Sequence, residues 1–244
     1  MTNTSHRVVP HEEWLAARTD FLLKEKNFTR ARDEISRQRR ELPWEEVTKE
    51  YVFDGSDGRK TLPEIFDGRT QLVVYHAMFD PDTASASTPY TTDAACQACS
   101  FWADNFNGIV VHLNHRDVSM VAVSRAPYPK LAAYGKRMGW NFKWYSSRNS
   151  EFNFDFYVSF TPEQVRSKRA YYNYTIQDPG LPEREAVSVF HKDAKGKVFH
   201  TYSAYARGID LLNTAYNYLD LVPKGRDEGD SGLSWVCRHD EYDR

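Results

Sequence analysis

Apolar residues in this chain come in short runs separated by turn signals, and that punctuation limits the fold more than any other feature. The longest runs, such as Leu72 to Tyr75 and Met120 to Val123, hold four residues, where a membrane-spanning helix needs about 20. Gln71 to His76, opened by the Asp67-Gly68 turn signal, reads as a buried strand of the parallel type. A polar loop from Phe79 to Ala95 leads to a helix over Ser100 to Phe106, closed by Asn107-Gly108. Val118 to Ser124 is a second strand. Pro127 then opens a helix whose apolar face is Leu131, Tyr134 and Met138, and Phe142 to Tyr145 adds a third strand. A further helix opens at Thr161-Pro162. Val187 to His191, the Lys195-Gly196 turn and Lys197 to Ser203 form a hairpin, followed by a helical stretch from Gly208 to Leu219. Alternation of strands with helices predicts an α/β fold, and the terminal hairpin makes its sheet mixed.

The first part of the chain differs. His11 to Glu50 carries nine Lys/Arg and ten Asp/Glu, with Trp14, Leu15, Phe21, Leu22 and Phe28 at helical spacing. It reads as one or two amphipathic helices ending near Pro43, and the Arg37, Arg39, Arg40 cluster as a solvated helix face. Tyr51 to Phe53 and Arg59 to Leu62 flank Asp57-Gly58, which supplies the positive-φ position of a hairpin turn. The expected organisation is therefore an extension over residues 1–65, packed on a core domain over residues 66–244.

Charge excludes some classes of function. With 32 Lys+Arg against 34 Asp+Glu the net charge is −2, which supplies no bulk attraction for a phosphate backbone or an anionic membrane. Neither nucleic acid nor membrane is expected as a partner. The first twenty residues contain no apolar segment of the length a secretory signal needs, so a cytoplasmic location is the expectation. In that reducing compartment a close cysteine pair points to redox chemistry or metal rather than to a structural disulfide.

Cys96-Gln97-Ala98-Cys99 is such a pair, placed after a strand and at the start of a helix. Helix N–H groups stabilise a thiolate there, lowering a pKa of about 8.5 into the range of roughly 3.5 to 7.5. Cys96 is then the attacking sulfur, and Cys99, one turn along, the sulfur that displaces a mixed disulfide. The same cysteines admit a second reading, because His112 and His115 complete a C-x2-C-x12-H-x2-H string. The His–His spacing is one residue short of a zinc finger, and no Lys or Arg lies between Cys99 and His112 to read DNA, which leaves structural zinc on Cys96, Cys99, His112 and His115 as an alternative. Inert buried thiols are a third.

Other residues carry weaker signals. His76, on the first strand, is a candidate to move protons for the thiols, or a hydrogen-bonded core histidine. Arg125 follows the second strand on the sheet edge where α/β proteins place ligands, which makes it a candidate substrate contact or a surface ion pair. His191 and His200 lie on the hairpin, on strands where they can face each other. Cys237 has no sequence partner. Phe152-Asn153-Phe154-Asp155-Phe156 alternates with strand period, and twelve of the 35 aromatic residues fall between Trp140 and Tyr174, read as core or as a cleft wall. Glycine-rich phosphate loops, the G-x-S-x-G elbow and the H-E-x-x-H pair are absent.

Several motifs in order resemble one family: Glu13-Trp14-Leu15-Ala16-Ala17-Arg18, Phe66-Asp67-Gly68-Arg69, Cys96 to Asn105, Ser124-Arg125-Ala126-Pro127, Arg137-Met138-Gly139-Trp140, Phe152-Asn153-Phe154-Asp155 and His200-Thr201-Tyr202-Ser203 with Ala206-Arg207-Gly208. The chain is similar nearly end to end to the bacterial proteins grouped as domain of unknown function 899, described as dithiol-disulfide oxidoreductases of thioredoxin-like fold. The resemblance implies a thioredoxin-like mixed sheet with flanking helices, with Cys96 and Cys99 as the reactive residues. Ala95 stands where well-studied thioredoxins have tryptophan, and Glu185-Ala186-Val187 lacks the proline expected beside the active site. The strand near Phe142 to Tyr145 looks like the peroxiredoxin branch. The expected activity is thus thiol-disulfide exchange or peroxide reduction without a bound organic cofactor, with a thioredoxin or glutathione system as the dithiol reductant. A non-enzymatic zinc protein or a binding module with inert thiols are the alternatives.

Overall fold

The computed structural model describes residues 6–242. The chain divides at Pro43 into two units. The first is a single helix, α1 (His11–Arg39), with Glu12 and Glu13 in its first turn and Arg37 and Arg39 in its last, so that charge complements the helix dipole at both ends. Ion pairs such as Arg37 with Glu34 and Arg18 with Glu25 run along it.

The second unit, from Trp44 onward, is built on an eight-stranded sheet. Its strands are β1 (Glu45–Glu46), β2 (Val52–Gly55), β3 (Gly58–Thr61), β4 (Gln71–His76), β5 (Val118–Ser124) and β6 (Lys143–Ser146), and then β9 (Ala186–Lys192) and β10 (Val198–Tyr205). Between β6 and β9 lies a separate two-stranded hairpin, β7 (Ala170–Tyr172) with β8 (Thr175–Gln177). The sheet order is β1-β10-β9-β4-β5-β6-β2-β3. β4 runs parallel to β5 and antiparallel to β9, and β9 pairs antiparallel with β10. That four-stranded heart, with a helix between β4 and β5, is the thioredoxin-like arrangement. The boundary between extension and core therefore lies at Pro43 rather than at residue 65, because β1 and the β2–β3 hairpin complete the two edges of the sheet.

The helices are α2 (Gln97–Ala103), α3 (Val110–Asn114), α4 (Tyr128–Arg137), α5 (Phe152–Asp155), α6 (Pro162–Ser167) and α7 (Thr214–Leu219). α2 begins three residues earlier than the helix expected over Ser100 to Phe106, because Cys96 itself caps it. α6 opens with a full capping box between Thr161 and Gln164. The helical stretch expected over Gly208 to Leu219 is interrupted. A 3-10 segment, Ala206–Leu212, stops at Asn213, whose extended backbone and side-chain oxygen then cap α7.

The strand period of Phe152 to Phe156 proves misleading, since Phe152–Asp155 form α5 and Phe156 is its C-cap. Positions i and i+4 share a face in a helix as well as in a strand, and the Phe152 and Phe156 rings meet at 4.6 Å. Phe154 leaves on the other side, beneath the Arg125 guanidinium at 4.6 Å.

Side chains of β4 alternate between two cores. Leu72 and Val74 join Val121, Val123, Phe152, Phe156 and Phe190 on one face. Tyr75 joins Cys96, Cys99, Trp102, Ala122 and Leu131 on the other, beneath α2 and α4. Phe152 is fully buried and stands edge-on to both Tyr51 and Phe53, tying the β2 edge to the centre. Phe152→Ala is expected to cost about 3–5 kcal/mol, measured as a shift in the urea unfolding midpoint at unchanged slope.

Candidate active site

The cysteine pair sits where β4 delivers the chain to the sheet edge. After His76 the backbone stays tied to β5 through the Ala77 N–H, which donates to the Val123 carbonyl at 3.0 Å. Met78 then clasps both ends of the motif. Its carbonyl accepts from the Cys96 N–H at 3.0 Å, and its N–H donates to Cys99 Sγ at 3.3 Å. Cys96 is the N-cap of α2, and its sulfur accepts from the Cys99 N–H at 3.4 Å. The Cys96 carbonyl accepts from both the N–H and the hydroxyl of Ser100, and that hydroxyl also lies 2.8 Å from the Tyr134 hydroxyl. Tyr75 donates from its hydroxyl to the Cys99 carbonyl at 3.3 Å. The thiols are thus held by a backbone and hydroxyl framework.

Both sulfurs are interior, with Cys96 0% and Cys99 1% exposed. They line a cavity of about 370 Å³ whose walls include Met78, Trp102, Glu185, Ile209 and Leu233. Trp102 is held there by its indole N–H, which donates to the Ile209 carbonyl at 2.9 Å. Burial raises the Cys99 thiol well above its ordinary range, with the neighbouring Cys96 sulfur and the Glu185 carboxyl adding to the shift. Burial also raises Glu185. At neutral pH, Cys99 is therefore a protonated thiol beside a carboxyl group of raised basicity.

The structure separates His76 from the thiols. It ends β4 on the face opposite Tyr75, stacked 5.4 Å from Phe152, and its Nε2 lies 2.9 Å from Ser188 Oγ. Its Nδ1 is buried without a partner, and burial together with the nearby His200 lowers it to about 3. A neutral imidazole on the wrong face of the sheet moves no proton for Cys96. Arg125 reaches the expected sheet edge, but it pairs with Asp80 at 3.0 Å and caps Phe154 rather than lining the thiol cavity. His112 and His115 lie on and just after α3. Among the described residues no three His, Cys, Asp or Glu side chains converge as a metal site, so these histidines do not join the cysteines. His191 and His200 are not opposite each other: His191 faces Phe199 and His200 faces Phe190.

Three residues enter the site without a sequence signal. Glu185 stands at the place where the resemblance expects a proline, and a charged residue before a strand reads as ordinary solvent-facing sequence. Only the antiparallel register, with Ala186 opposite His76, brings it to the thiols. Glu183 is fully buried; Ser159 donates to its Oε1 at 3.2 Å and its Oε2 has no partner. Arg238 comes from the far end of the chain and donates twice to the Ala95 carbonyl, at 2.6 and 3.1 Å, fixing the residue before Cys96. Cys237 beside it is a half-buried free thiol.

A model of the bacterial proteins of unknown function DUF899 matches residues 3–242. The chain belongs to that family. No curated protein matches it. Among solved structures, this DUF899 protein is similar to the peroxidoxin BcpB from Mycobacterium tuberculosis, at 14% identity and a TM-score of 0.44, over 71% of this chain and 94% of that one. It is similar to a peroxiredoxin Q mutant of Xanthomonas campestris at 15% and 0.42, over 68% and 90%. A yeast mitochondrial 1-Cys peroxiredoxin gives 17% and 0.40, over 73% and 78%. Among the described residues of the DUF899 protein no helix is long and apolar enough to cross a membrane.

Burial, with Asp80 adding like charge, raises Glu183 to about 8, well above its value in an unfolded chain. The folded state then holds a proton that the unfolded state has released between about pH 4.5 and 8, so stability falls as pH rises through that window. His76 contributes nothing above about pH 6.5, where it is neutral in both states. Unfolding free energy is expected to decline from pH 6.5 to pH 8 in the natural protein. The decline should be smaller in Glu183→Gln, measured by urea titration at each pH.

Proposed function

We propose that this protein is a thiol-disulfide oxidoreductase in which Cys96 attacks and Cys99 resolves. The observation that carries the reading is the placement of both sulfurs in one cavity at the start of α2 with the Glu185 carboxyl in the same wall. In the first step the Cys96 thiolate attacks one sulfur of a disulfide, forming a mixed disulfide and releasing the other sulfur as a thiolate. Cys99 then gives its proton to the Glu185 carboxylate and attacks the Cys96 sulfur. That step forms the Cys96–Cys99 disulfide and releases the second substrate thiolate, which takes a proton from solvent. A cellular dithiol, of the thioredoxin or glutathione kind, restores the reduced pair by the reverse exchange.

Burial favours a small oxidant over a folded protein's disulfide, because neither sulfur is exposed beyond 1%. A peroxide fits the same residues. The Cys96 thiolate attacks one peroxide oxygen, giving a sulfenic acid and an alcohol or water once the leaving oxygen is protonated. Cys99 then condenses with the sulfenic acid, releasing water and forming the same disulfide.

Titration against defined thiol-disulfide buffers, with the cysteines followed by mass spectrometry and metal measured in the same sample, tests this reading. A reversible, metal-free Cys96–Cys99 disulfide is expected; bound zinc without reversible oxidation would overturn it. Cys96→Ser is expected to abolish turnover, whereas Cys99→Ser should accumulate a mixed disulfide on Cys96. Glu185→Gln is expected to slow disulfide closure on the order of a hundredfold by stopped-flow fluorescence while leaving the first attack nearly unchanged.

A further inference from the structure

A second cleft, of about 540 Å³, shares no lining residue with the cysteine cavity and has no part in the reaction above. Half of its lining is aromatic: Tyr51, Tyr157, Tyr171, Tyr174 and Tyr205, together with Phe154 and Phe156. The rings are arranged edge to face, Tyr157 with Tyr171 at 4.6 Å and Tyr174 with Tyr205 at 5.5 Å. Ring faces present negative potential, and walls of this kind hold cations without a strong demand for hydrogen bonds.

The charges point the same way. Glu45, Glu46 and Asp155 line the cleft against one cation, Lys49. Lys49 is paired with Asp155 at 2.5 Å, and its ammonium lies 5.7 Å from the Tyr51 ring centre, so this wall already takes an ammonium group from within the chain. Glu46 pairs with Lys197 at 2.8 Å. Glu45 has the His200 imidazole 3.9 Å away as its ionic neighbour, and burial keeps that imidazole from gaining a proton at neutral pH. Among the described residues, Glu45 thus has no fixed Lys or Arg partner at this aromatic cleft.

Two of the tyrosines stand where the backbone would suit glycine. Tyr157 follows α5 at φ 56°, the usual place of a terminating glycine, and Tyr174 takes φ 64° in the two-residue turn between β7 and β8. In that turn the preceding Asn173 has φ 49°, the pattern that asparagine followed by glycine adopts most easily. The Tyr174 hydroxyl donates to the Ser203 carbonyl at 3.0 Å, which fixes its ring over the cleft. A bulky residue in the left-handed region costs folding free energy that glycine would not, and such residues cluster at ligand sites.

We propose that this cleft binds a small organic ammonium ion, held on the tyrosine faces with Glu45 as counter-charge. The inference is independent of the thiol chemistry. It is tested by titrating the full-length protein with tetramethylammonium chloride and following tyrosine ring signals by NMR, with tert-butanol as the uncharged probe of similar shape. Saturable shifts confined to the cleft tyrosines are expected, with affinity at least about tenfold above that for tert-butanol. Tyr171→Ala and Glu45→Gln should each weaken binding several-fold. Tyr157→Gly should weaken it too while holding or raising the unfolding temperature, because glycine accepts that backbone freely. Absence of saturation, equal binding of tert-butanol, or unchanged affinity in Tyr171→Ala would each overturn the proposal.

Discussion

The pairing of β4 with two neighbours of opposite direction is the constraint on which the rest of the molecule depends. β5 runs alongside it, so Ser124 and Arg125 arrive at the same edge as His76; β9 runs against it, so Glu183 to Ala186 arrive there from the other end of their strand. One sheet edge thereby collects three segments far apart in sequence: the strand exit that leads to Cys96, the start of α4 and the entry to β9. Alternation along β4 then decides which side chain meets which core, and it sends Tyr75 to the thiols and His76 to the phenylalanines. A shift of one residue in that register would exchange them.

The central strands and the hairpin were legible because each is a short apolar run bounded by turn residues. β4 and β5 match their expected limits, and Gly58 and Gly196 sit at φ 87° and 83° in the turns that required them. The cysteine pair was legible because its chemistry is local: cap, helix start and two-residue spacing belong to one stretch of chain. What escaped was set by partners distant in sequence. Glu185 and Arg238 have no local pattern, and their roles come from a strand register and from a carbonyl 143 residues away. α5 escaped for another reason, since Phe-x-Phe-x-Phe satisfies the strand period while its first and last rings also satisfy a helical face.

Placement of α2 carries the asymmetry between the two cysteines. Cys96 caps the helix and accepts from an amide of the first turn, whereas Cys99 is one turn inside, against Met78 and beneath Tyr75. The sulfur at the cap accepts from the Cys99 N–H, whereas burial and a nearby carboxyl raise the Cys99 thiol even though it accepts from the Met78 N–H. In the proposed exchange this places Cys99, the thiol raised by burial, in the resolving step.

Protons at this edge follow first from burial, which outweighs the nearby guanidinium groups. Asp80 takes the Arg125 guanidinium in a partly buried pair, and Arg238 is spent on the Ala95 carbonyl and Glu241. Burial raises Glu183 to about 8 despite hydrogen bonds from the Ser159 hydroxyl and the Phe79 backbone. Glu185, raised by the same desolvation, shares a cavity with Cys99, the thiol that in the proposed exchange loses a proton before it attacks. An acid and a base exchange a proton fastest when neither holds it too strongly. A carboxylate of ordinary acidity would be a poor base for a thiol whose own affinity for the proton has been raised. In the proposed exchange, burying both groups in one cavity moves them upward together and keeps the proton transfer between them matched.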